Sequence, residues 1–120
     1  MLAIKFEGTG KPEVVRKDLT GYFDFCTAEI GCSIPEHVYP MRLPRPYAMI
    51  IDESGLIKNL QINSIGSLLY GTDQHGAPIC GPALILKDVM TCDGPTTVSL
   101  DESDIPKVKA VLDTVIAAFS

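Results

Sequence analysis

The chain has 120 residues, 46% hydrophobic and 21% charged, which suffices for one apolar core but would leave two marginal units if divided, so residues 1–120 are expected to form a single domain. A net charge of −5 disfavours a direct grip on nucleic acid, because such binding relies on lysine and arginine displacing counterions from phosphate. No apolar run approaches the ~20 residues that a membrane helix needs, and Met1–Glu7 reads as a strand and not as a signal peptide. A cytoplasmic protein with no membrane partner is expected.

Leu2 to Phe6 reads as a strand, Gly8-Thr9-Gly10-Lys11-Pro12 as a loop and Glu13-Val14-Val15-Arg16 as a second strand, giving an opening hairpin. Asp18 is placed to cap a helix that carries Leu19, Tyr22, Phe23, Cys26 and Ile30 at helical spacing, and Gly31 sits where a left-handed C-terminal residue belongs. Pro35, Pro40, Pro44 and Pro46 exclude a helix from Ser33 to Pro46 and favour an edge strand with an irregular connection.

Tyr47 to Ile51 has the aromatic and aliphatic run of a buried strand, and Asp52-Glu53-Ser54-Gly55 has turn chemistry, which predicts a hairpin at the centre of the fold. A short helix follows from Ile62, Ile65, Leu68 and Leu69, with Asn63 as its N-cap, and leads through Tyr70-Gly71 into the polar loop Thr72-Asp73-Gln74-His75-Gly76. Ile79 to Leu86 is almost continuously apolar and reads as a strand buried on both faces, with Gly81-Pro82 breaking its start. After a turn at Thr91–Gly94, Thr96-Thr97-Val98 forms a short strand and Ser99 to Asp104 supplies capping oxygens for a last helix. In that helix Val108, Val111, Leu112, Val115 and Phe119 repeat at helical spacing, Lys107, Lys109 and Asp113 face outward, and Pro106 is confined to the first turn. The fold class is therefore α+β: a small mixed or antiparallel sheet, a helix after the first hairpin, a short middle helix, and a C-terminal helix packed on the sheet.

Lys11-Pro12-Glu13-Val14-Val15, Ile51-Asp52-Glu53-Ser54-Gly55-Leu56, Asn63 followed by Leu69-Tyr70-Gly71, Ile79-Cys80-Gly81, and Ser99-Leu100-Asp101 together resemble an uncharacterised domain-of-unknown-function family, numbered three-eight-four-six and frequent in bacteriophages and mobile elements. The resemblance spans nearly the whole chain. It implies a small α+β domain of phage or prophage origin and implies no reaction.

The residues offer no catalytic constellation and no cofactor motif: a nucleophile elbow, a glycine-rich phosphate loop and an H-E-x-x-H helix are all missing, so a non-enzyme is expected. Cys26, Cys32, Cys80 and Cys92 show no C-x-x-C pair and read as buried thiols, and no spacing among Asp73, His75 and Cys80 favours a metal. His37 reads as a surface residue of a strand. Tyr70 can stack on a planar ligand, Asn63, Gln74 and His75 offer amide and imidazole groups, and Arg42 or Arg45, held on a proline-stiffened segment, can meet phosphate.

These six residues are the candidate ligand-binding set. With the phage setting implied by the resemblance, they point to a non-catalytic counter-defence protein that sequesters a nucleotide-derived immune signal, of cyclic-nucleotide or ADP-ribose type. A pocket is easier to build between protomers than inside so small a core, so a homo-oligomer is expected. Two alternatives stand beside this reading. One is a phage inhibitor that binds a host defence protein directly, and the other is a small hydrolase or lyase that uses His75.

Overall fold

A computed structural model describes residues 1–8, 11–18, 21–55, 57–72 and 76–119, excepting the side chain of Phe119. Among the described residues the elements are β1 (Leu2–Phe6), β2 (Glu13–Arg16), α1 (Tyr22–Ile30), β3 (Pro35–Val38), β4 (Tyr47–Asp52), α2 (Ser64–Tyr70), β5 (Ala83–Thr91), β6 (Gly94–Val98) and α3 (Asp104–Phe119). The strands form one sheet in the order β2-β1-β5-β4-β3, with β6 added to β5 off that path. All pairings between these strands are antiparallel, so the α+β expectation holds in its antiparallel form.

β5 is the hub, because its nine residues are long enough to serve three partners. Ile85 pairs with Ile4 on one edge and Met49 on the other, while Lys87 pairs with Tyr47 and with Val98. β1 and β6 therefore follow one another along the same edge of β5, and β4 takes the opposite edge. Leu2 N donates to Ser99 Oγ at 2.7 Å and Leu100 N donates to Leu2 O at 2.9 Å, which joins the end of β6 to the start of β1.

Side chains alternate across this sheet, and both faces are covered. Leu2, Ile4, Phe6, Met49, Ile51 and Ile85 meet Ile65 and Leu69 of α2 and Val108, Leu112 and Val115 of α3. On the other face Ala3, Ile50, Leu84 and Leu86 meet Phe25, Cys26 and Ile30 of α1. Each fully buried side chain of this size contributes about 1.5–3 kcal/mol. The continuous apolar reading of Ile79–Leu86 thus holds from Ala83 onward, while Cys80 makes only an isolated bridge to Ile62. Past Leu86 the cover of α1 ends, and in the ribbon formed by the rest of β5 with β6, Val89 and Met90 are exposed.

The opening hairpin, the edge position of β3 and the αL glycine Gly31, which closes α1, follow the sequence reading, and Gly71 closes α2 in the same way. Several expectations are corrected. β4 does not turn into a hairpin partner. Asp52 O accepts from Gly55 N at 3.1 Å, Asp52 Oδ1 accepts from Ser54 N at 2.9 Å, and Lys58 N donates to Ser54 O at 2.8 Å, so successive turns wind the chain toward α2. β4 pairs with β3 and β5 instead.

Asp18 does not cap α1, whose N-cap is Gly21 without a side-chain hydrogen bond, and the expected first apolar position, Leu19, lies outside the described residues. With the helix beginning at Tyr22, Phe25 and not Phe23 enters the core, and Phe23 is 55% exposed. Cys26, Cys32 and Cys80 are buried as expected, but Cys92 is exposed because it lies in the turn at the bare end of the ribbon. Among the described residues no helix is long and apolar enough to cross a membrane.

Candidate functional site

Successive residues of a strand face opposite sides of a sheet, so Lys87 and Asp88 on β5 enter different surroundings. Lys87 points toward α3, where its Nζ donates to Asp104 Oδ2 at 2.8 Å and Asp101 Oδ2 at 2.6 Å. Asp104 Oδ1 accepts the Tyr47 hydroxyl at 2.7 Å, and its Oδ2 also accepts Asp101 N at 2.8 Å. Burial opposes ionisation of Asp104, but the Lys87 ammonium, the Asp101 amide and the Tyr47 hydroxyl outweigh it and bring the carboxyl to about 2. Burial and the same hydrogen bond push Tyr47 up to about 12. This network fastens the first turn of α3 to the sheet.

Asp88 points to the α1 face, beyond the helix's cover. Its Oδ1 meets His37 Nε2 at 3.1 Å and accepts the Thr97 hydroxyl at 2.9 Å, and its Oδ2 accepts the Tyr39 hydroxyl in a short hydrogen bond. The His37 and Tyr39 rings touch edge to face, 4.8 Å between centroids, and the Arg45 guanidinium lies 4.1 Å above the centre of the Tyr39 ring. Tyr22 from α1 and Pro95 from β6 complete a hollow of about 310 Å³. A neighbouring depression of about 560 Å³ shares Tyr22 and Thr97 and runs past Met1.

Partial burial raises the Asp88 carboxyl, but hydrogen bonds from Tyr39, His37 and Thr97 more than offset this and leave it below the ordinary carboxylate value. The hydrogen bond to Asp88 raises the Tyr39 phenol, while burial takes Tyr22 up to about 12. The cluster exists because β5 outruns β4: Asp88 N donates to Pro46 O at 2.8 Å, just before β4 begins. The end of β3 and the proline-rich connection then bring His37, Tyr39 and Arg45 over the bare strand.

Of the six residues singled out from the sequence, the four that are described are not gathered into one site. Asn63 is fully buried and spent internally: Nδ2 donates to Phe6 O at 3.1 Å and Gly81 O at 2.9 Å, and Oδ1 accepts Gly66 N at 2.8 Å. Its N-cap role is as read, and its amide is turned away from any ligand. Arg42 Nη1 donates to Leu68 O at 2.5 Å, placing a cation at the C-terminal end of α2. Tyr70 is half-buried against the core on the α2 and α3 face, and with Glu36, Asp52 and Glu53 it lines a separate hollow of about 200 Å³. Those carboxylates make that hollow a poor seat for phosphate. Gln74 and His75 lie outside the described residues, as does Asp73. Of the four that are described, Arg45 alone joins the Asp88 cluster.

Asp88, Tyr39 and Thr97 were not singled out from the sequence, and His37 was read as mere surface. Two signals were available. His37 and Tyr39 stand at i and i+2, hence on one face of an extended segment, and Asp88 is the first carboxylate after an apolar run. Among the described residues no group of three or more His, Cys, Asp or Glu side chains is placed to hold a metal ion.

No curated protein and no solved structure matches the chain. The family resemblance read from the sequence is confirmed: residues 1–113 match the family model described as Domain of unknown function (DUF3846), and the chain belongs to that family.

Proposed function

We propose that the chain is a non-catalytic binding protein for a small nucleotide-derived molecule, with its site at the Asp88 hollow. The observation that carries the reading is the convergence of Tyr22, Tyr39 and His37 on one ionised carboxylate, with the Arg45 guanidinium beside them. Rings take the face of a planar base, a carboxylate takes its N–H edge, and arginine takes phosphate. The hollow lies at the lower end of the ~300–1,000 Å³ of small-ligand sites. Both hydroxyls of the cluster, on Tyr39 and Thr97, donate to Asp88, an arrangement that supports binding over nucleophilic chemistry.

In the phage or mobile-element setting that the resemblance implies, such binding would sequester a cyclic-nucleotide or ADP-ribose-type immune signal. A second copy of the chain closing the open side of the hollow, near exposed Met90, belongs to the same reading. Light scattering at working concentration tests it, and a strict monomer would remove that part.

The test of function is incubation with cyclic dinucleotides and ADP-ribose isomers, followed by denaturation and mass spectrometry of the released material. Intact ligand is expected. Released products would replace the reading with a hydrolase or lyase, and no uptake would leave direct binding of a host protein. Calorimetry on variants then places the site: Arg45→Ala should weaken binding about tenfold, as for one charge-assisted hydrogen bond, and Tyr70→Ala should leave it unchanged. The reverse pattern would move the site to the Tyr70 hollow.

A further inference from the structure

We infer that Asp88 selects the base, favouring one whose edge offers an exocyclic amino group with no ring N–H beside it, as adenine and cytosine do, over guanine and hypoxanthine. This inference rests on the binding function proposed above and adds the chemical identity of what enters the hollow.

An ionised carboxylate offers about four lone-pair directions, two on each oxygen. Among the described residues Oδ1 already has two partners, His37 Nε2 at 3.1 Å and the Thr97 hydroxyl at 2.9 Å. Oδ2 has one, the Tyr39 hydroxyl. One acceptor direction is left, on Oδ2, at the wall of a hollow whose other sides include the rings of Tyr22, Tyr39 and His37. The Asp88 side chain lines the hollow with 11% of its surface accessible, so it can be met from there while staying largely dry.

Guanine presents two neighbouring donors, N1–H and the 2-amino group, which are best met by the two oxygens of one carboxylate side by side. Oδ1 is saturated, so one guanine donor would be buried without a partner, and an unmet buried donor is costly. Hypoxanthine presents N1–H next to a carbonyl oxygen, which would be pressed against the carboxylate. The amino group of adenine projects clear of its ring, so one of its two N–H bonds meets the one acceptor direction available while the other points away along the opposite edge of the base. Stacking is shared by all three bases and therefore sets affinity more than choice.

The test uses AMP, IMP and GMP, which share ribose and phosphate and differ in the base edge, titrated calorimetrically into the intact chain. AMP is expected to bind about tenfold more tightly than IMP or GMP, the value of roughly one net hydrogen bond. Thr97→Val removes one donor from Oδ1 with little change of shape, so both oxygens can then accept. GMP should gain about tenfold relative to AMP in this variant. Equal binding of the three by the unaltered chain, or an unchanged ranking in Thr97→Val while its circular dichroism matches the parent, would overturn the selection and leave the binding function standing. Failure of all three nucleotides to bind would also overturn this inference, while uptake or refusal of the cyclic dinucleotides and ADP-ribose isomers decides the binding function separately.

Discussion

Lys87 and Asp88 are neighbours on one strand, yet one belongs to a closed polar network and the other to an open one. The Lys87 side is sealed by the first turn of α3: Asp104 and Tyr47 are buried, and the hydrogen bonds of Lys87 and Tyr47 to Asp104 tie β5 and β4 to α3. The Asp88 side is roofed only in part. The core contacts of α1 end at Leu86, and the groups around Asp88 come from an edge strand, a connection and a ribbon, with Tyr22 alone from the start of α1. Burial and polarity are thus similar in kind on the two faces, and the presence of a helix above decides which network is structural and which can meet a ligand.

The comparison gives its largest expected effect on the sealed side. Asp104→Ala leaves Tyr47 without its acceptor and Lys87 with Asp101 alone, so it should lower stability in urea by about 3 kcal/mol, the low end for breaking a buried pair. A loss under about 1 kcal/mol would show that the α3 attachment is carried by Val108 and Leu112 instead.

Acid gives the next effect. Asp104 has a folded value of about 2 against an ordinary 3.8, so the folded state binds this proton less readily than the unfolded chain. The resulting stabilisation is present above about pH 4 and is lost as pH falls toward 2, amounting to about 2 kcal/mol for a shift of this size. Comparing thermal or urea unfolding at pH 5 and pH 2.5 for the parent and for Asp104→Asn isolates it, because the amide does not titrate. Equal pH dependence in the two proteins would assign the acid sensitivity to other carboxylates.

Much of this architecture can be read in the chain before any coordinates, and the unreadable part has definite causes. Periodicity placed β1, β2, β5 and α3, since Leu2–Phe6 and Val108–Val115 carry patterns that only one kind of element satisfies. Prolines put β3 at the edge. In α1 the expected Tyr22, Cys26 and Ile30 do face the core, and the one misplaced ring is Phe23, which is exposed while Phe25, one position before Cys26, is buried. The central hairpin was misread because Asp52-Glu53-Ser54-Gly55 suits several kinds of turn, and only the later course of the chain distinguishes them. The site was legible at Arg45 alone. His37, Asp88 and Thr97 are 51 and 9 residues apart along the chain in their two hydrogen-bonded pairs, and no local pattern announces a meeting set by strand order. Asn63 illustrates the converse, a polar residue that looked available and is consumed by the backbone groups around it.

The smallest stability effect is expected at Asp88→Asn, and its smallness is the sharpest form of the comparison. The amide oxygen can still meet His37 and accept from Thr97. The Tyr39 hydroxyl, facing an amide NH₂ in place of Oδ2, can turn to accept a hydrogen bond, since a phenol does both. Water reaches Tyr39 and can complete what the amide leaves unmet, which water cannot do at Asp104 under α3. The expected cost is about 1 kcal/mol or less in urea, with the circular dichroism of the parent. If Asp88→Asn instead destabilises as much as Asp104→Ala, the Asp88 cluster is a clamp that fastens β3 to the β5 and β6 ribbon, and the open network loses its distinction from the closed one. A small cost leaves a carboxylate that the fold can spare, held ionised among rings at the edge of a hollow, which is the condition a binding group must meet.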